Sequence, residues 1–188
     1  MKVKDFSFRE IDQEICYVEK TEELEELLSP FEDASDSTGF LGYGFVDHEK
    51  GVMFEVLCRA KKEDDDFQTL PTQFSVSVSI PMKDIFENEM EVLEVNPKIY
   101  DKKIKKVKDH TPLSVKQLRE LDFIDDCRDT CCPDFVQVHF GTEKKWVKMM
   151  GLNEKEGCLE GVLLDNQDTL VKFALKKNED GELICFCL

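Results

Sequence analysis

The sequence predicts an α+β protein, mainly antiparallel sheets with two or three helices, ending in a β meander or small barrel-like lobe. Three observations lead there. Residues 135–188 break into five short strand-like runs separated by Gly, Asn and Asp turns. Residues 74–80 alternate apolar and polar side chains with a period of two. Helical spacing with terminal signals occurs in two places only, after Thr21 and after Thr111-Pro112.

Along the chain, Glu14 to Lys20 reads as a short strand leading into a helix. Thr21 is placed to cap it, Glu22 and Glu23 sit at the positive end of its dipole, and Leu24, Leu27 and Leu28 share one face. Ser29-Pro30 ends it. Phe31 to Gly39 is small, acidic and irregular, the expected mobile loop of this half. Phe40 to Lys61 has the pattern of a hairpin, whose connection from Asp47 to Gly51 ends in a glycine suited to a left-handed position. Gly42 and Gly44 leave one face of the first arm bare for a close neighbour or a bulge. An acidic loop, Lys61 to Asp66, precedes the alternating strand 74–80, with Phe74, Val76, Val78 and Ile80 inward and serines outward. Pro81 to Val95 is expected as one or two helical turns and then extended chain. The second helix carries Leu113, Gln117, Leu118 and Leu121, and the acids Asp122, Asp125, Asp126 and Asp129 oppose its dipole, so it is expected to end near Phe123. The expected organisation is an N-terminal α+β lobe over 1–110 and a helix plus β-rich lobe over 111–188.

With 188 residues, 41% of them hydrophobic and 14 of them Phe, the chain is long enough to bury a core without staples. No stretch approaches the roughly 18 consecutive apolar residues of a membrane span, and no apolar run follows the first basic residues. The expectation is a soluble, cytoplasmic protein without membrane contact. Eight scattered cysteines read as reduced thiols, and Cys16, Cys58, Cys158, Cys185 and Cys187 fall in apolar runs where a thiol behaves as a small hydrophobe. Charge is uneven: residues 1–95 hold 9 Lys/Arg against 24 Asp/Glu, 96–116 hold 7 against 2, and 117–188 hold 9 against 15, giving −16. Such a field excludes ordinary duplex nucleic acid and draws basic proteins.

The ligand-like cluster is Cys127, Cys131 and Cys132, with His139 seven residues further on. Zinc takes soft or imidazole ligands, but this spacing fits no standard knuckle, and the adjacent Cys131 and Cys132 point apart. Buried or loop thiols are the expected reading, with metal or redox chemistry as the sharper alternatives. His48, in a turn, and His110, beside the lysines, read as solvated. Lys102, Lys103, Lys105 and Lys106 surround Ile104, so their ammonium groups are expected to project outward, either as an anion-contacting patch or as compensation for the acidic half. Asp64, Asp65 and Asp66 form an acidic loop with loose cation capacity at most. No motif implies a cofactor.

The run from Glu143 to Asn166, with Trp146-Val147, a polar turn and then Glu160-Gly161-Val162-Leu163-Leu164-Asp165-Asn166, resembles a bacterial family catalogued only as domain of unknown function 2314. The resemblance covers about residues 133–188. Where that family continues with a Pro and a Gly-Asp turn, this chain has Gln167-Asp168-Thr169. It implies a bacterial origin and a small β-rich module, carries no activity over, and leaves Trp146 as a candidate binding residue.

Three functions from different classes follow. The leading expectation is a non-enzymatic acidic binding protein that engages a basic protein partner, similar in general character to the immunity proteins of bacterial toxin systems. The second is a metal- or thiol-dependent hydrolase using the Cys127 to His139 region, and the third a regulatory module that binds a small ligand.

Overall fold

Ser7 opens a single helical turn (α1, Phe8–Ile11), and the Glu10 carboxylate folds back to accept from the Ser7 N–H and hydroxyl, both at 2.8 Å. That exchange satisfies donors the short helix leaves free. The structure, a computed structural model, describes residues 1–31, 36–63, 66–70, 75–107, 110–166 and 169–188, and divides into two units, Met1–Asp109 and His110–Leu188. The protein is α+β with mainly antiparallel sheets, as the alternating runs predict.

In the first unit β1 (Ile15–Glu19) and α2 (Glu22–Leu28) fall where expected, with Leu24 and Leu28 buried. β2 (Gly39–Asp47) and β3 (Gly51–Glu63) make the hairpin, with Gly51 at φ +82, a conformation glycine adopts without strain. The Asp47 carboxylate accepts from the Glu49 and Lys50 amides and shapes the turn. His48 in that turn is buried, a correction to its solvated reading. Of the acidic segment, Lys61–Glu63 end β3 and pair with β4 (Asp66–Thr69). β5 is Ser79–Pro81, and a 3-10 turn, Met82–Ile85, leads to β6 (Met90–Leu93). A second 3-10 turn, Pro97–Tyr100, runs into α3 (Asp101–Ile104). The sheet order is β4-β3-β2-β1-β6, with β5 also on β3, and every pairing is antiparallel. One face packs Ile15, Tyr17, Leu41, Leu57, Cys58 and Leu93 against Tyr100. Arg59 ties α2 to the sheet, donating to Glu25 Oε1 at 2.6 Å and to the Leu28 carbonyl at 3.0 Å.

Two departures from the expected pattern share one cause. The β2–β3 register slips between Leu41 and Gly42, so that Leu41 faces Cys58 while Gly42 faces Val56, and Leu57 is left over as a bulge. The Lys103 ammonium is driven into the sheet there and donates to the carbonyls of Val56 at 2.6 Å and Leu57 at 3.1 Å. Those acceptors are lost to a longer β5. The segment therefore keeps its alternating burial but ladders with β3 only from Ser79, helped by a Val56 N–H to Val78 carbonyl bond. Phe74 lies outside the described residues. Ser77 and Ser79, exposed as expected, donate their hydroxyls to the buried Glu55 carboxylate at 2.8 and 2.6 Å.

The second unit begins with α4 (Leu113–Arg119), which buries Val115 and Leu118 and leaves Leu113 exposed at its first position. The α-helix stops four residues before Phe123, and a separate 3-10 segment, Asp122–Cys127, follows. Then β7 (Phe135–Phe140), β8 (Glu143–Asn153), β9 (Cys158–Leu163), β10 (Leu170–Lys177) and β11 (Leu183–Cys187) close into a barrel in the order β10-β11-β7-β8-β9. All seams are antiparallel but one: β11 and β7 run parallel and pair only at Cys185–Val138 and Phe186–His139. Phe173, Val136, Val138, Val147, Met149 and Leu159 fill the interior. Fully burying a side chain of this kind contributes about 1.5–3 kcal/mol. Arg119 and Asp134 brace the barrel from outside the strands with a buried two-bond fork, Nε to Oδ1 at 2.8 Å and Nη2 to Oδ2 at 2.6 Å.

Candidate functional site

β6 ends the sheet order; on its outer side Lys2 bridges Glu89 and Met1 bonds Met90, and a groove of about 700 Å³ lies beside it in the first unit. The alternation of an antiparallel ladder explains what it offers. Glu91 faces Tyr17 across β1, while Met90 turns its N–H outward to the Met1 carbonyl at 2.7 Å; Val92, two residues on, points its backbone the same way. Among the described residues no strand pairs with β6 at Val92 on that side. Side chains of Glu19, Glu89 and Glu91 line the groove over a floor that includes Tyr17, Phe6 and Thr38. The Tyr17 hydroxyl bonds Thr38 Oγ1 at 2.7 Å, its ring meets Phe67 at 5.1 Å between centroids, and burial pushes its phenol above the ordinary value. Lys62 Nζ bonds Glu91 at 2.6 Å while lying over the Tyr17 and Phe67 rings, and the Met1 amino group lies 3.0 Å from Glu89. The site thus already holds two ammonium groups against carboxylates and aromatic faces, the chemistry by which lysine and arginine side chains are bound.

No protein-family model, curated protein or solved structure matches this chain. Function is therefore read from its own geometry.

The residues singled out in the sequence fall elsewhere. Lys102, Lys105 and Lys106 are exposed around α3, with Lys105 bonded to Asp101 at 2.9 Å, but Lys103 is 1% exposed and points inward, so it is no part of an anion-contacting surface. Its ammonium also lies 4.4 Å from the centre of the Phe31 ring, and burial holds its pKa below 10.5. Asp66 is exposed at the start of β4, and Asp64 and Asp65 lie outside the described residues. Trp146 faces outward on β8, opposite Gln137.

Helix does not persist to Cys131, so Cys127 and Cys131 share no helical face. Instead the Asp129 carboxylate accepts from the Cys131 and Cys132 amides at 3.0 and 2.8 Å and turns the chain away. Among the described residues no three His, Cys, Asp or Glu side chains gather as a metal site. Cys127 and His139 do meet, in the second unit, on a smaller pocket of about 270 Å³ at the β7–β11 seam. Its wall includes Asp126, Gln137, Lys144, Glu182 and Cys185. Cys127 and Cys185 both line it, and the Cys127 thiol donates to the Leu183 carbonyl at 3.6 Å. The Cys185 thiol and N–H, with Arg128 nearby, hold the Cys127 thiol below the usual cysteine range against the effects of burial and Asp126. The Cys127 side chain and burial push Cys185 well above it. All eight cysteines are free thiols.

The sequence reading missed the groove because its residues come from positions 1 to 92 and meet only through the sheet register. An available signal was the alternation of Glu89, Glu91 and Met90 beside a short strand. Cys185 sat in an apolar run, and nothing local marked it as the neighbour of Cys127.

Proposed function

We propose that this protein is a non-enzymatic acidic binding protein that takes a basic, extended segment of a partner protein along β6. The observation that carries the reading is the groove itself: three carboxylates and an aromatic floor beside a strand edge that, among the described residues, is unpaired at Val92. A strand added there bonds its backbone to Val92, and alternate side chains of the incoming strand face the groove. Their ammonium or guanidinium groups reach Glu19, Glu89 and Glu91, each with lone pairs beyond those already engaged, and their stems cover Tyr17 and Phe6. The unit carrying the groove has 15 Lys/Arg against 26 Asp/Glu, a field that steers cationic partners toward it and speeds encounter. Small acidic immunity proteins of bacterial toxin systems share this general character.

The test is a titration of isotope-labelled protein with a peptide alternating Lys and Val, followed by amide chemical shifts. Perturbation is expected at Tyr17, Glu91 and Val92, with affinity falling about tenfold between about 50 and 300 mM salt as screening shortens the reach of the charges. Glu89→Gln with Glu91→Gln is expected to weaken binding about fivefold. Equal binding of a peptide alternating Glu and Val, or perturbation confined to the barrel unit, overturns the proposal.

A further inference from the structure

We propose that Cys127 and Cys185 form a redox-active dithiol that exchanges with small zwitterionic disulfides in the pocket at the β7–β11 seam. Two separately placed elements bring these thiols together. Cys127 closes the 3-10 segment Asp122–Cys127, and Cys185 lies mid-β11 where the parallel seam to β7 is only two residues long. Both thiols line the pocket at that seam, and the Cys127 thiol donates to the carbonyl of Leu183, two residues before Cys185, at 3.6 Å. The attacking and resolving sulfurs of a disulfide exchange need this arrangement: one thiol that ionises readily on the wall of a pocket, and a second, more deeply buried thiol on the same wall. Cys127 is 8% exposed and lines the pocket, while Cys185 is fully buried.

The pocket wall selects the substrate. Lys144 stands opposite His139 across the β7–β8 ladder and offers a cationic side for a carboxylate, and Asp126 and Glu182 offer an anionic side for an ammonium group. A volume of about 270 Å³ admits a half-molecule the size of one amino acid and is small for anything drug-sized. In the first step the Cys127 thiolate attacks one sulfur of the small disulfide, its S–S bond breaks, and the departing thiolate takes the proton that Cys127 gave up. In the second step Cys185 loses its proton, its sulfur attacks Cys127, and the second small thiol leaves with that proton. Two electrons pass from the protein to the small disulfide, which becomes two thiols, and the protein gains one Cys127–Cys185 bond.

The experiment incubates the full reduced chain with cystine or with the uncharged disulfide of 2-mercaptoethanol, quenches with acid, and maps disulfides by peptide mass spectrometry. The Cys127–Cys185 bond is expected to form first. Cys185→Ser is expected to stop at a mixed disulfide on Cys127, and Cys127→Ser to leave Cys185 unmodified. Lys144→Ala, an exposed change that leaves the core intact, is expected to slow cystine about threefold, the size of a surface charge contact, and to leave the uncharged disulfide unaffected. Alkylation of Cys127 by iodoacetamide is expected to reach half its maximal rate below the ordinary thiol value of about 8.5. A first bond mapped elsewhere, Cys131–Cys132 included, overturns the proposal, as does a Cys185→Ser protein in which Cys127 stays free.

Discussion

Lys103 is the residue whose chemistry is set most fully by its surroundings. A charged lysine inside a sheet survives because its ammonium meets the two carbonyls that the Leu57 bulge leaves over, with the face of Phe31 beside it. Lys103→Met keeps the volume and strands those acceptors, so a loss of about 1–3 kcal/mol is expected from the urea midpoint. The pH dependence of that difference has a definite sign. Burial lowers the folded pKa of Lys103 below 10.5, so the unfolded chain holds the proton more tightly. Wild type therefore gains stability relative to Lys103→Met as pH climbs from the folded value toward 10.5, and the gain is lost as pH falls back through it. In the barrel unit the buried fork between Arg119 and Asp134 makes the opposite demand. Asp134→Asn leaves an uncompensated guanidinium and is expected to cost about 3–5 kcal/mol.

At the scale of elements, close approach decides what each strand tolerates. The α1–β1 connection lies on β2 at Gly44, with Gln13 at φ +66 and reciprocal bonds from Gln13 N–H to the Gly44 carbonyl and from Gly44 N–H to the Glu14 carbonyl. A Cβ at Gly44 would meet the Ile11 carbonyl oxygen and Cγ2. Gly44→Ala is therefore expected to cost about 1–3 kcal/mol in thermal or urea unfolding, the range of an overpacked core. The bare face at Gly42 and Gly44 was legible in the sequence, and both reasons given for it are met, a bulge at the first glycine and a close neighbour at the second. The five C-terminal strands were legible too, because each alternates and the turns between them are short, so local pattern and register agree. Their closure was legible only as one of two outcomes, an open meander or a barrel-like lobe, since the parallel β7–β11 seam joins ends that nothing local connects. The same holds for Lys103, which a helical wheel places among solvated lysines until a bulge far away in sequence supplies its acceptors. The thiol pocket divides the same way: Cys127 and His139 stood out as residue types, and Cys185 joined them only through β11.

Across the molecule, charge acts on folding and on binding with opposite signs. A net −16 makes the folded chain repel itself, and screening relieves that repulsion, so added salt is expected to raise the urea midpoint while it weakens the peptide complex on β6. A protein whose stability and affinity both fell with salt would owe little to the field as a whole. Acid separates the same two contributions. As pH drops from 7 toward the isoelectric value of 4.6 the repulsion fades and stability is expected to rise. Below that the paired carboxylates begin to protonate. Glu87 is held at about 2 by Lys2 first and then Lys4, Glu25 is held below its ordinary range by Arg59 and then Lys20, and Glu10 by the Ser7 amide and hydroxyl. Each of these groups binds its proton less tightly folded than unfolded, so the stability it adds is present above about 4.3 and is lost as pH falls through the folded value. The urea midpoint is thus expected to pass through a maximum between about pH 5 and 6 and to fall steeply below about pH 4. Glu25→Gln removes one of the depressed groups and is expected to flatten that acid limb while lowering the plateau, because Arg59, 4% exposed, loses its carboxylate. A limb of unchanged slope in Glu25→Gln would place the acid-sensitive charge elsewhere.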